Sequence, residues 1–275
     1  MMISNKLKKT IIMLLYKKFK TKIVGIFGIG SFFSQSMGEI SDCDVIVILT
    51  DTNDCKKRDW TTRLFEDITI EENGFLLDIT LLYGTLEDYS DKNKFSKVSF
   101  ADFSWAIRSL KFGSILLYGN DIRELLPYIN YEYGSIFLRS AYHLNGSSSK
   151  YTKMQKITKA IFKFGFFLVT AYYPNSNIFN KIDIYNKIIE AKEDGIISNQ
   201  MIECYEEALE MREKKINNDN KSEKLRRKFA ISFFDETQRS TGYTWNQMKK
   251  FLEKGFENGG FYRVIALIET IKNIT

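Results

Sequence analysis

Apolar residues run through the first part of the chain in short, nearly unbroken blocks, and through the second part at intervals of three and four. The blocks Lys22-Ile23-Val24-Gly25-Ile26-Phe27, Val45-Ile46-Val47-Ile48-Leu49, Gly74-Phe75-Leu76-Leu77-Asp78-Ile79-Thr80-Leu81-Leu82 and Ser114-Ile115-Leu116-Leu117-Tyr118-Gly119 predict strands. The second has no polar residue, as expected of a strand covered on both faces. Helices are expected near residues 4–19, over Trp60 to Ile68 and over Phe100 to Lys111, with a Gly/Ser-rich turn and loop from Gly28 to Ser41. From about Tyr131 the pattern changes. Met154, Ile157, Ile161, Phe164, Leu168 and Ala171 recur at helical spacing, and Pro174-Asn175-Ser176-Asn177 breaks that helix. Further helices are expected near 181–193, 198–215, 223–236, 244–256 and 261–272. No segment of this half reads as a strand, and Lys214 to Lys224 reads as a solvated linker. The expectation is an α+β protein, with an α/β domain over residues 1–127 and a helical domain over 128–275.

Composition changes this picture little. Hydrophobic residues at 44% and charged residues at 27% fit a globular protein and argue against disorder. A net charge of +6 suits a polyanionic partner such as a nucleoside triphosphate or RNA, and equally suits lysines scattered over solvated faces. Cys43, Cys55 and Cys204 show no metal spacing, which points to a reducing compartment. Lys6, Lys8 and Lys9 precede the apolar run Ile11 to Leu15, but Lys17-Lys18 follow at once with no small-residue cleavage site. No stretch approaches the roughly 20 apolar residues of a membrane span. The first segment is expected to be an amphipathic helix, and the protein cytoplasmic with no membrane partner.

The chemistry is concentrated in two short segments. In Ser41-Asp42-Cys43-Asp44-Val45 the two acids sit two apart at the start of a strand, so alternation gives both the same face. Carboxylates held that close repel unless a cation lies between them. Oxygen-only ligands select a hard ion, and Mg²⁺ typically takes one or two carboxylates together with substrate phosphates. Asp78 is a third acid, in an otherwise apolar strand, where a charge is costly unless paired or metal-bound. If the strands carrying Asp44 and Asp78 are neighbours, the three acids form a two-metal site suited to in-line phosphoryl or nucleotidyl transfer. Gly30-Ser31 closes the preceding strand, where glycine permits close approach of a phosphate and the serine hydroxyl can donate to it.

An apolar strand, Gly30-Ser31, a loop, Asp42-x-Asp44 opening a second strand and Asp78 on a later one resemble the DNA polymerase β-type nucleotidyltransferase superfamily over roughly residues 20–85. With the helical domain that follows, and with Gly113 to Asp121 resembling the segment that closes the first domain, the chain looks most like the antibiotic nucleotidyltransferases that adenylylate aminoglycosides or lincosamides. The resemblance implies a mixed-sheet catalytic domain and a helical substrate-binding bundle. It also implies ATP as substrate, two Mg²⁺ ions held by Asp42, Asp44 and Asp78, and transfer of AMP to a small hydroxyl-bearing acceptor with release of pyrophosphate, as in antibiotic resistance. Gly30 and Ser31 would bind the nucleotide. From their position alone, Lys153, Lys156 and Lys159 on the first long helix of the second domain would reach phosphate if that helix faces the cleft, Lys159 being the candidate nucleotide-binding residue, and otherwise form a solvated face. The general base would be Asp78, or an acid of the helical domain such as Glu190 or Glu193.

Other readings of the same residues are open. Phe32-Phe33 after Gly30-Ser31 depart from the family's pattern and support an inactive nucleotide-binding module. The basic balance supports transfer to RNA or to a partner protein. Gly28-x-Gly30 is half of a dinucleotide fingerprint, but Phe33 occupies the third glycine position, and Gly-Lys-Ser/Thr occurs nowhere. His143, the one histidine, is expected to be structural.

Overall fold

The computed structural model describes residues 5–29, 43–53, 65–72, 75–98, 103–130, 133–147, 151–176, 181–214, 216–255 and 259–273. The chain divides into two units between residues 131 and 132. Ile129 packs on the core of the first unit.

The first unit contains α1 (Asn5–Phe19), β1 (Ile23–Ile29), β2 (Cys43–Leu49), β3 (Phe65–Glu72), β4 (Phe75–Thr85), α2 (Lys92–Val98), α3 (Phe103–Gly113) and β5 (Ile115–Gly119). Its five strands form one mixed sheet in the order β3-β4-β2-β1-β5. β2 and β4 are parallel, and every other neighbouring pair is antiparallel. Both faces are covered, which is why the strands read as unbroken apolar blocks. On one face Ile11, Leu15 and Phe19 of α1 pack with Ile26, Val45, Val47, Leu81 and Tyr83. The N-terminal apolar run is thus the inner stripe of an amphipathic helix. On the other face Ile107 and Leu110 of α3 pack with Phe27, Ile29, Ile46, Ile48 and Leu82. At the end of β5, Gly119 has φ +82, and a Cβ there would lie 2.3 Å from the carbonyl oxygen of Val24. The β1–β5 contact is closed by a residue without a side chain.

Two expectations need correction. Phe65 to Ile68 belong to β3 and not to a helix, while residues 60–64 lie outside the described residues. In β3 the residues Ile68 and Ile70 alternate with Asp67 and Thr69, the period of a strand, and Glu72 pairs with Phe75 across the dipeptide Asn73-Gly74. Residues Lys214 to Lys224 are only partly a linker, because α8 (Asp219–Thr241) begins within them, where the Asn218 side chain accepts from the Lys221 N–H. The polar run is the outer face of its first turns, and Leu225, Phe229 and Phe233 are the inner face. The segment Asp88 to Val98, given no element from the sequence, holds a 3₁₀ turn and α2, whose Tyr89 and Phe95 join the α3 core.

The second unit is helical: α4 (Tyr133–Leu144), α5 (Lys153–Tyr172), α6 (Lys181–Glu193), α7 (Asn199–Glu213), α8, α9 (Trp245–Lys254) and α10 (Tyr262–Lys272). No strand occurs among its described residues, as the sequence suggests. The central helix is α5, begun by a reciprocal capping box between Thr152 and Gln155. Its Phe164 and Phe167 meet Phe137 of α4 and Phe229 and Phe233 of α8 in a cluster of aromatic rings. Glu236 of α8 is fully buried and accepts the Ser198 N–H at the start of α7, tying the two helices together. Among the described residues no helix is long and apolar enough to cross a membrane.

Candidate active site

Asp44 and Asp78 stand on the two strands, β2 and β4, that form the parallel seam of the sheet. Cys43 lies opposite Ile79, and Asp44 opposite Thr80. Asp78 is therefore one residue before the start of the β2–β4 register, and on its other side it pairs with Thr69 of β3. On β1 the residue opposite Asp44 is Ile29. Alternation along β2 gives Asp44 the same face as Ile46 and Ile48, which pack beneath α3. One strand step beyond the last of these isoleucines the apolar face ends. Asp44 is half-buried there, beside the half-buried Thr80, and strand alternation assigns positions 78 and 80 of β4 to this face as well. The hydrophobic cluster fixes the backbone on which the polar row is carried.

β3 adds a residue that sequence reasoning missed. Asp67 is opposite Thr80, so Asp44, Thr80 and Asp67 fall in one row across β2, β4 and β3. With neighbouring strands about 4.8 Å apart, positions 44 and 67 are separated by roughly 10 Å. Reading 60–68 as a helix hid this row. The alternation from Asp67 to Ile70, followed by Asn73-Gly74, was the signal for it.

Of the residues singled out from the sequence, Gly30, Ser31 and Asp42 lie outside the described residues, and Asp78 is described through its backbone only. Lys159 stands on α5, in the second unit, with its ammonium 3.8 Å from the centre of the Tyr151 ring. Glu190 on α6 is engaged by Lys187 one turn away, and Glu193 is exposed at the end of that helix. The rings of Tyr142 and Tyr151 lie against His143, with centroids at 5.3 and 6.0 Å. Among the described residues no three His, Cys, Asp or Glu side chains gather as metal ligands; Asp42 and the side chain of Asp78 are not among them. The donors that the register aligns, carboxylates and a threonine hydroxyl, are all oxygens. They fit a hard divalent cation in kind.

No family model matches this chain, and no curated protein matches it. Among solved structures it is similar to a nucleotidyltransferase-like protein from Exiguobacterium sibiricum 255-15. The identity is 12% over 95% of this chain and 87% of the other, with a TM-score of 0.25. Both values are too low to carry a fold or an activity from one chain to the other.

Proposed function

We propose that the chain is a nucleotidyltransferase that moves AMP from ATP to a hydroxyl of a small acceptor of the aminoglycoside or lincosamide type. The observation that carries this reading is the parallel register of β2 and β4, which aligns Asp44 with Thr80, two residues from Asp78. The Asp42-x-Asp44 spacing, with Gly30-Ser31 before it, supplies the rest. Asp42, Asp44 and Asp78 would hold magnesium, which when bound neutralises triphosphate charge and favours ionisation of the attacking hydroxyl. Gly30 and Ser31 would hold the triphosphate, and Lys159 is a further candidate for contact with it. In the reaction the acceptor oxygen forms a bond to the α-phosphorus, the bond from that phosphorus to the bridging oxygen breaks, and pyrophosphate leaves. Asp78 accepts the proton of the hydroxyl and passes it to solvent. Glu190 is a weaker candidate for this base, since Lys187 already engages its carboxylate.

The test is pyrophosphate release from ATP and Mg²⁺ across a panel of aminoglycosides and lincosamides, with Asp44→Asn in parallel. Release with one drug is expected, reduced by more than about 100-fold in the variant. Near-normal turnover by Asp44→Asn would sink the mechanism. Silence across the panel with ATP still bound would redirect the search to an RNA or protein acceptor, or to a binding module without turnover.

A further inference from the structure

The helical unit contains a cavity of about 210 Å³ that belongs to none of the chemistry above. It lies where the end of α4 meets the first turns of α5, α8 and α10. Four of its lining residues are cations: Lys153 and Lys156 of α5, Arg226 of α8 and Arg263 of α10. Among the described residues a single carboxylate, Glu223, lines it with them. Lys153 is partly neutralised by Asp219, at 2.8 Å, and Arg226 by Glu223, at 3.4 Å. Among the described residues Lys156 and Arg263 have no acidic partner. Cations converging on one cavity from three helices repel one another, and a bound anion removes that cost.

The cations are also held in place. The Arg226 Nε donates to the Leu144 carbonyl at 3.1 Å, so the guanidinium is anchored on the end of α4 with its remaining N–H groups directed elsewhere. The Asn145 Oδ1 accepts the backbone N–H of Arg263 at 3.0 Å and that of Val264 at 3.3 Å, pinning the first turn of α10 to the same point. Preorganised donors lose less freedom on binding. The positive ends of three helix dipoles add to the field of the side chains, and the negative end of α4 offsets part of it.

We propose that this cavity binds a compact phosphoryl anion, inorganic phosphate or pyrophosphate, independently of the metal site on the sheet. Several cations around one space suit a multiply charged ligand, and an arginine fork suits phosphoryl oxygens. The volume falls below the roughly 300–1,000 Å³ of sites for drug-sized ligands, which favours a bare phosphate or pyrophosphate over a nucleotide.

The experiment is calorimetric titration of the full chain with pyrophosphate, and separately with phosphate, in EDTA so that no metal bridges ligand and protein. Wild type is compared with the Lys156→Gln/Arg263→Gln double variant and with Asp44→Asn. Saturable binding is expected in wild type and in Asp44→Asn alike, and at least about tenfold weaker binding in the double variant, from two lost charge-assisted hydrogen bonds. Equal affinity in the double variant, loss of binding in Asp44→Asn, or no wild-type binding at millimolar ligand overturns the proposal. Should the double variant fail to fold, Glu223→Gln takes its place. Removing that carboxylate is expected to tighten binding, and unchanged or weaker binding again overturns it.

Discussion

Gly165 marks a close approach of α5 to α6 and α7. A Cβ there would lie 2.5 Å from the Tyr205 ring and 3.0 Å from Ile188 Cδ1. The ring cannot swing aside, because Tyr205 is fully buried and its hydroxyl donates to the Lys181 carbonyl at 3.0 Å. Alanine gains about 1 kcal/mol of helix propensity over glycine but meets an overpacking cost of about 1–3 kcal/mol. Gly165→Ala is expected to be net destabilising by about 1 kcal/mol, read as a lower urea midpoint with unchanged slope. Cys204 faces the same interior, and burial pushes its thiol from an ordinary 9.0 up to about 12. It should stay unmodified by iodoacetamide from pH 7 to 9, checked by peptide mapping, until denaturant is added. The sign of the linkage follows from the raised value. Below pH 9 both states hold the proton, whereas above it the unfolded chain ionises first, so this group's contribution to stability declines from pH 9 towards 12.

At the scale of elements, Thr152 begins α5, the central helix of the second unit, where its side chain accepts the Gln155 N–H and the Gln155 side chain accepts the Thr152 N–H in return. Thr152→Ala is expected to cost about 1 kcal/mol, seen as a drop in Tm of several degrees at most. This helix was legible in the sequence because its apolar residues keep one phase from Met154 to Ala171. β2 was legible because both of its faces are covered from Val45 to Leu49, leaving no polar position in that run to blur it. β3 was not. Its two isoleucines alternate with acids and a threonine, and a window beginning at Trp60 mixes that alternation with a different segment. The candidate site followed the same division. Asp44 and Asp78 stand in strands that announce themselves, so their adjacency needed only the parallel register, which no local pattern contains. Asp67 went unseen with its strand. Of the basic cavity only Lys153 and Lys156 stood out in the sequence, as one helix face, and their meeting with the arginines was beyond sequence reasoning for another reason. Lys153, Arg226 and Arg263 are remote along the chain, and only helix packing brings them to one place.

At the scale of the molecule, the sheet with its two covering layers and the helical unit each have their own buried interior. A perturbation inside one should stay there. In hydrogen exchange of Gly165→Ala, faster exchange is expected for amides of α5 and α7, with β1 and β2 unchanged; matching acceleration in the strands would show one cooperative unit. The order of strands has a last consequence. Among the described strands β3 ends the sheet, and an end strand offers its unpaired backbone groups to any other strand that comes near. Four of the eight residues of this one are acids: Glu66, Asp67, Glu71 and Glu72. Two such borders brought together, one from each of two molecules, would set like charges against each other along their length. The composition of β3 therefore guards against stacking of copies into a continuous ribbon, a hazard greatest at high concentration and in strong salt, where that repulsion is screened.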